Sequence, residues 1–133
     1  MSFLIGALLA LVVGLFATWM RFDRDRSFYP TVMIIIASYY VLFSVIGGST
    51  QALRIECVVM TPFVLAAALG STKTQWLVVA ALAAHGLLDL VHPQLVSNPG
   101  VPAWWPAFCL AYDLVAAGYL AVRLVGRGLQ PAP

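Results

Sequence analysis

The stretch FLIGALLALVVGLFATWM, residues 3–20, contains no charged side chain and decides the fold class. A helix needs about 20 consecutive apolar residues to cross a bilayer, because each residue advances it by roughly 1.5 Å. Four further apolar stretches follow, at 30–47, 55–70, 76–92 and 104–125. The sequence therefore predicts an all-α protein of five transmembrane helices that form a single domain over residues 1–133.

The composition agrees with a membrane protein and excludes a soluble domain. Hydrophobic residues make up 62% of the chain and charged residues only 9%, whereas a soluble domain has about 25% charged residues. Lipid must therefore surround most of the surface, which predicts a multi-pass protein of the cell (inner) membrane. A nucleic-acid partner is not expected, because no run of Lys and Arg occurs.

The basic residues are distributed unevenly among the predicted connections. With five spans, the first loop, the third loop and the C-terminus share one side of the membrane. That side holds Arg21, Arg24, Arg26, Lys73, Arg123 and Arg127, and the other side holds only Arg54. Since cytoplasmic loops are enriched in Lys and Arg, we predict that the N-terminus faces outside and the C-terminus faces the cytoplasm.

Two features concern contacts between helices. Gly6, Ala10 and Gly14 recur at every fourth position of the first predicted helix, and such a stripe of small residues lets another helix approach closely. The partner is either a helix of the same chain or a second copy in a homodimer. Cys57 and Cys109 lie in apolar stretches, and the sequence does not determine whether they pair.

Five ionisable residues lie within the predicted spans, where each costs about 2.5–3.5 kcal/mol at a helix centre. They are Glu56, His85, Asp89, His92 and Asp113. On the fourth helix, His85, Asp89 and His92 share one face, because they are spaced i, i+4 and i+7. The short connection to the fifth helix should bring Asp113 opposite this face. We expect a polar site in the outer half of the bilayer.

Structural roles compete with functional ones at the ends of these helices. Glu56 lies near Arg54, and an interfacial ion pair between them explains it without catalysis. His92 stands at a helix end, where an imidazole can cap carbonyl groups or lie among lipid headgroups. His85 and Asp89 are harder to explain by packing, because two ionisable groups at that depth are costly.

The segment from His85 to Asp113 reads H-x3-D-x2-H-P-x4-N-P-x9-C-x3-D. It resembles a pattern in an uncharacterised family of small bacterial multi-pass membrane proteins, with an H-x3-D-x2-H helix, an Asn-Pro loop and a final C-x3-D helix. The resemblance covers about the last third of the chain and implies no activity. It groups six residues: His85, Asp89, His92, Asn98, Cys109 and Asp113.

Acids and bases on facing helices suit general acid–base catalysis. We therefore predict an isomerase, cyclase or hydrolase that acts on a lipophilic, lipid- or isoprenoid-like small molecule. His85 is the expected base, and Asp89 or Asp113 is the expected acid. The candidate substrate-binding residues are Tyr40, Tyr112, His92, Glu56, Asn98 and Trp105.

The same side chains are also ligands of Zn, Mn or Fe. His85, Asp89, His92 and Asp113 are therefore candidate ligands of a divalent metal, although the two imidazoles lie about 10 Å apart along the helix. Two other functions stay open. The polar residues could belong to a small proton- or cation-coupled transporter or channel, or to an accessory subunit whose polar face binds a partner helix. The polar residues stop near mid-membrane, which favours a one-ended pocket.

Overall fold

The computed structural model describes residues 1–128, and each of its five α-helices is long and apolar enough to cross a membrane. A short 3-10 turn at Phe22–Arg24 connects the first two helices. The prediction of an all-α multi-pass bundle is confirmed. The helices are α1 (Ser2–Trp19), α2 (Phe28–Ile46), α3 (Thr50–Thr72), α4 (Trp76–Leu95) and α5 (Trp105–Gly128).

The third and fourth helices are longer than their apolar stretches predict. α3 begins at Thr50, because the Ser49 hydroxyl accepts a hydrogen bond from the Ala52 backbone N–H and caps the helix. α4 continues through Pro93 to Leu95. Polar and proline residues at helix ends therefore belong to the helices, and the other predicted bounds agree to within about one turn.

The helices are arranged in the order α2, α3, α4, α5, α1 around the bundle. α1 packs on α5, α5 on α4, α4 on α3 and α3 on α2, and α2 also reaches α4. α1 and α2 follow each other in sequence but make few direct contacts. The bundle is therefore open between α1 and α2.

The small-residue stripe of α1 packs against α5 of the same chain. Gly6 lies against the backbone carbonyl of Phe108, and Gly14 lies against the ring of Tyr119. Ala10 between them is buried. The stripe is thus occupied within the chain, and a homodimer through Gly6, Ala10 and Gly14 would require α5 to leave.

Six of the seven basic residues lie in segments that meet at one end of the bundle, which we call the basic end. Arg26 donates a hydrogen bond to the Lys73 carbonyl oxygen, and this contact joins the α1–α2 and α3–α4 connections. Arg123 Nε donates to Asp23 Oδ2 at 3.1 Å, which fixes the end of α5 to the same place. The opposite end, with the α2–α3 and α4–α5 connections, is called the loop end.

Candidate functional site

His85, Asp89, Cys109 and Asp113 meet between α4 and α5, and we call them the central cluster. Each side chain is at most 2% exposed. The i, i+4 spacing places His85 with Asp89 on one face of α4, and Cys109 with Asp113 on one face of α5. Gly86 permits the close approach of these helices, because a Cβ there would lie only 3.1 Å from Asp113 Cβ.

The central cluster is compact. His85 Nδ1 lies 2.7 Å from Asp113 Oδ2 and 3.8 Å from Asp89 Oδ2. Cys109 Sγ lies 3.8 Å from Asp113 Oδ2. One ligand atom from each of the four residues lies within 4.8 Å of all the others, so the cluster could hold a metal ion.

The hydrogen bonds within the cluster leave part of each carboxylate unpaired. Asp113 lies opposite the α4 face, as predicted, and is hydrogen-bonded to His85. Within residues 1–128, however, Asp113 Oδ1 and Asp89 Oδ2 are buried without a hydrogen-bond partner. Since buried polar atoms are nearly always satisfied, these oxygens indicate a place for a proton, a water or an ion.

A second cluster, Glu56, His92 and Asn98, lies at the loop end and is called the loop-side cluster. His92 Nε2 lies 2.8 Å from Glu56 Oε1, and Asn98 Nδ2 donates to the same oxygen at 2.9 Å. The predicted Glu56–Arg54 pair is wrong, because Arg54 is exposed while Glu56 is buried against His92. The predicted headgroup and helix-capping roles of His92 are also wrong, because its side chain is buried and bonded to Glu56.

Tyr40 of α2 links the two clusters. Its hydroxyl donates to Asp89 Oδ1 at 2.6 Å, and its ring stacks on His92 with ring centroids 3.8 Å apart. Its backbone carbonyl accepts a hydrogen bond from Asn98 Nδ2. Tyr40 is a predicted substrate-binding residue, and its observed contacts are with Asp89, His92 and Asn98.

The metal-ligand prediction needs one correction. His92 binds Glu56 in the loop-side cluster, and Cys109 takes its place in the group that could hold an ion. The cause is the i+7 spacing from His85 to His92, which places the two rings about two turns apart along α4. The C-x3-D spacing on α5 was the sequence signal that could have identified Cys109. Cys109 is a free thiol, as is the exposed Cys57.

An apolar groove of about 330 Å³ occupies the open side of the bundle, between α1, α2 and α5. Trp105 and Tyr112, both predicted to bind substrate, line it. Tyr39 and Phe108 line it as well, and sequence reasoning missed them because the groove depends on which helices pack together. Cys109 is also part of the wall. The groove and the central cluster therefore meet at this thiol.

The other predicted substrate-binding residues lie away from this groove. Tyr40 and Glu56 are buried between helices. His92 and Asn98 line a second cavity of about 440 Å³ at the loop end. Polar groups thus extend from the loop end to the central cluster.

The chain was compared with protein-family models, with curated proteins and with solved structures, and it has no significant match among them. The site itself is therefore the basis for any functional assignment. Its main features are a buried acid–base cluster and an apolar groove that share Cys109.

Proposed function

We propose that this protein is a membrane-embedded enzyme that acts on a lipophilic, lipid- or isoprenoid-like substrate by acid–base or metal-assisted chemistry. One observation carries the proposal. Cys109 belongs both to the wall of the apolar groove and to the central cluster, where its Sγ lies 3.8 Å from Asp113 Oδ2. An apolar molecule in the groove would therefore contact Cys109, and the buried acid Asp113 with its partner His85 lies behind that thiol.

The proposed chemistry is proton transfer by the central cluster. His85 Nδ1 lies 2.7 Å from Asp113 Oδ2, a hydrogen-bond distance at which the two groups can exchange one proton. Asp89 is held by Tyr40 through one oxygen, and its other oxygen is unpartnered within residues 1–128. That oxygen would exchange a proton with a substrate that reaches past Cys109 from the groove. Isomerisation, cyclisation, hydration and hydrolysis all require such transfers.

The groove is the proposed substrate-binding site. Its volume is near the lower end of the roughly 300–1,000 Å³ of ligand sites, so it accommodates part of a long apolar molecule. The remainder of that molecule can stay in the bilayer, because the groove lies on the open side of the bundle. Aromatic side chains such as Trp105 and Tyr112 supply flat apolar walls.

The distribution of polar groups supports an enzyme over a transporter. Between the central cluster and the basic end, the buried core contains Met33, Val78, Leu82 and Leu120. A proton or cation path needs polar groups toward both ends of the membrane. From the central cluster, buried polar side chains continue to the loop end. Toward the basic end they resume only beyond this apolar layer, at Asp23, Tyr29 and Gln75. The groove likewise argues against an accessory subunit, whose polar face would be packed against a partner helix.

The proposal includes an orientation in the cell (inner) membrane. The basic end faces the cytoplasm, because Lys and Arg are retained on that side. The N-terminus and the loop end then face outside. A tag at the C-terminus should be accessible from the cytoplasm alone, and labelling of that tag on intact cells would contradict this orientation.

The groove can be tested by filling it. Val13 lines the groove, whereas its neighbour Val12 faces outward with 61% of its surface exposed. In native membranes, Val13→Trp should reduce covalent labelling by a diazirine-tagged isoprenoid alcohol at least about tenfold, a loss of about 1.4 kcal/mol in binding. Val12→Trp is the matched control and should label like the wild type. Equal labelling of the two variants would mean that the groove is not the binding site.

A further inference from the structure

We propose that the central cluster binds one divalent metal ion of the zinc class, with His85, Asp89, Cys109 and Asp113 as its ligands. The inference deepens the proposed function and rests on it only for the purpose of the ion. In an enzyme, the metal would polarise a substrate oxygen or activate a water next to the groove. The evidence for the site itself is independent of any substrate.

The four side chains are already close to the geometry of a metal site. The four ligand atoms already lie within 4.8 Å of one another. Around a tetrahedral zinc ion, with bonds of about 2.0–2.3 Å, ligand atoms lie roughly 3.4 Å apart. Each helix contributes an i, i+4 pair, so both pairs project from adjacent turns of packed helices. Side-chain rotations that move each ligand atom by about an ångström would complete the shell while the helices stay in place.

Among the described residues, the two buried carboxylates of the central cluster lack a Lys or Arg partner. Asp89 and Asp113 are buried, and in the described part of the chain neither makes an ion pair with Lys or Arg. The arginine ion pairs involve Asp23 at the basic end. Buried charges are normally paired or bound to metals. A divalent ion balances two of the three negative charges that the two carboxylates and the Cys109 thiolate bring to the site, whereas His85 alone can supply only one positive charge.

Each carboxylate of the central cluster has one oxygen that the described residues leave unsatisfied. Asp89 Oδ2 and Asp113 Oδ1 are buried, and neither has a hydrogen-bond partner within residues 1–128. Both belong to side chains that are at most 1% exposed. Asp89 Oδ2 lies 3.8 Å from His85 Nδ1, and a cation bound in the cluster would satisfy it. Asp113 approaches His85 and Cys109 through Oδ2, so the cation would also satisfy Asp113 Oδ1 if that carboxylate binds through both oxygens.

The ligand types select the metal. Thiolate and imidazole ligands favour zinc, whereas magnesium and calcium prefer shells made of oxygen atoms. On binding, the ion displaces the Cys109 thiol proton and the proton between His85 and Asp113, and both protons leave to solvent. Tyr40 holds Asp89 from outside the shell. The Tyr40 bond uses Oδ1, so Asp89 Oδ2 can still bind the ion, and the four-ligand shell can expand to five to take water or substrate.

Metal content of the purified full-length protein tests this site, with the two cysteines as a matched pair. Wild-type protein and Cys57→Ser are expected to retain about one zinc per chain after dialysis against buffered zinc. Cys109→Ser and Asp113→Asn should bind zinc at least about tenfold more weakly. Cobalt loading supplies a second readout, because only a thiolate ligand gives a sulfur-to-cobalt absorption band. We expect that band in the wild type and Cys57→Ser and not in Cys109→Ser.

The outcomes separate the metal site from the proposed function. Wild-type protein that elutes as folded and binds neither zinc nor cobalt would overturn the metal site, as would an unchanged cobalt band in Cys109→Ser. If such metal-free protein still converts a lipid, only the metal inference fails and acid–base catalysis stands. If the protein binds zinc through Cys109 but converts no lipid, the metal site stands and the proposed function fails.

Discussion

Replacing Asp113 with Asn is expected to slow conversion of the lipid substrate by about 10²–10⁴-fold, the usual contribution of a general acid or base. An amide cannot exchange a proton with His85, whose Nδ1 lies 2.7 Å from the Asp113 carboxylate. Asn has almost the same shape as Asp, so the tight packing of Asp113 Cβ on Gly86 is retained. The measurement is the initial rate of lipid conversion in proteoliposomes, followed by mass spectrometry.

Asp25→Asn is the matched control for this prediction. The Asp25 carboxylate is exposed at the basic end and accepts hydrogen bonds from Ser27. The same chemical change there should leave the rate unaltered. A wild-type rate in Asp113→Asn, or an equal loss in both variants, would contradict the role given to the central cluster.

Gly6→Ala is expected to lower the free energy of unfolding by about 1–3 kcal/mol, the range for overpacking a close contact. A Cβ at this position would collide with the backbone carbonyl of Phe108. Because this obstacle is backbone rather than a flexible side chain, α1 has to move away from α5. Thermal unfolding in mild detergent would measure the loss. The same movement would widen the groove, since both helices form its walls.

Gly118→Ala separates this clash from the general effect of removing a helical glycine. Gly118 is exposed on α5, and an added Cβ there has nothing within 4 Å. The substitution should be neutral or should stabilise the helix by up to about 1 kcal/mol, because Ala is the better helix former. If Gly6→Ala and Gly118→Ala unfold at the same temperature, the close contact between α1 and α5 is not present in the protein.

The fold was predictable because its strongest signals are local. Five apolar stretches of membrane-spanning length define the helices without any knowledge of their partners. Two of the less accurate bounds were the start of α3, where Ser49 caps the helix, and the end of α4, which continues past Pro93. Both depend on polar residues that hydropathy alone assigns to loops.

The candidate site was only partly predictable. The i, i+4 spacing of His85 and Asp89, with the short connection to α5, was sufficient to group them with Asp113. The sequence did not show which residue His92 would contact, because its partner Glu56 lies on α3 and the contact depends on tertiary packing. The groove depends on α1 packing beside α5, its most distant helix in sequence. Contacts of this kind have no local signature.

The most direct test of an acid–base enzyme is the transfer of solvent hydrogen to a lipid. Proteoliposomes that contain the wild-type protein and a total bacterial lipid extract would be incubated in D2O and analysed by mass spectrometry. The account predicts that at least one lipid species gains carbon-bound deuterium or is converted to a new species with the wild type. Neither change should occur with Asp113→Asn. A wild-type sample in which no lipid gains deuterium or changes in abundance would contradict the central claim.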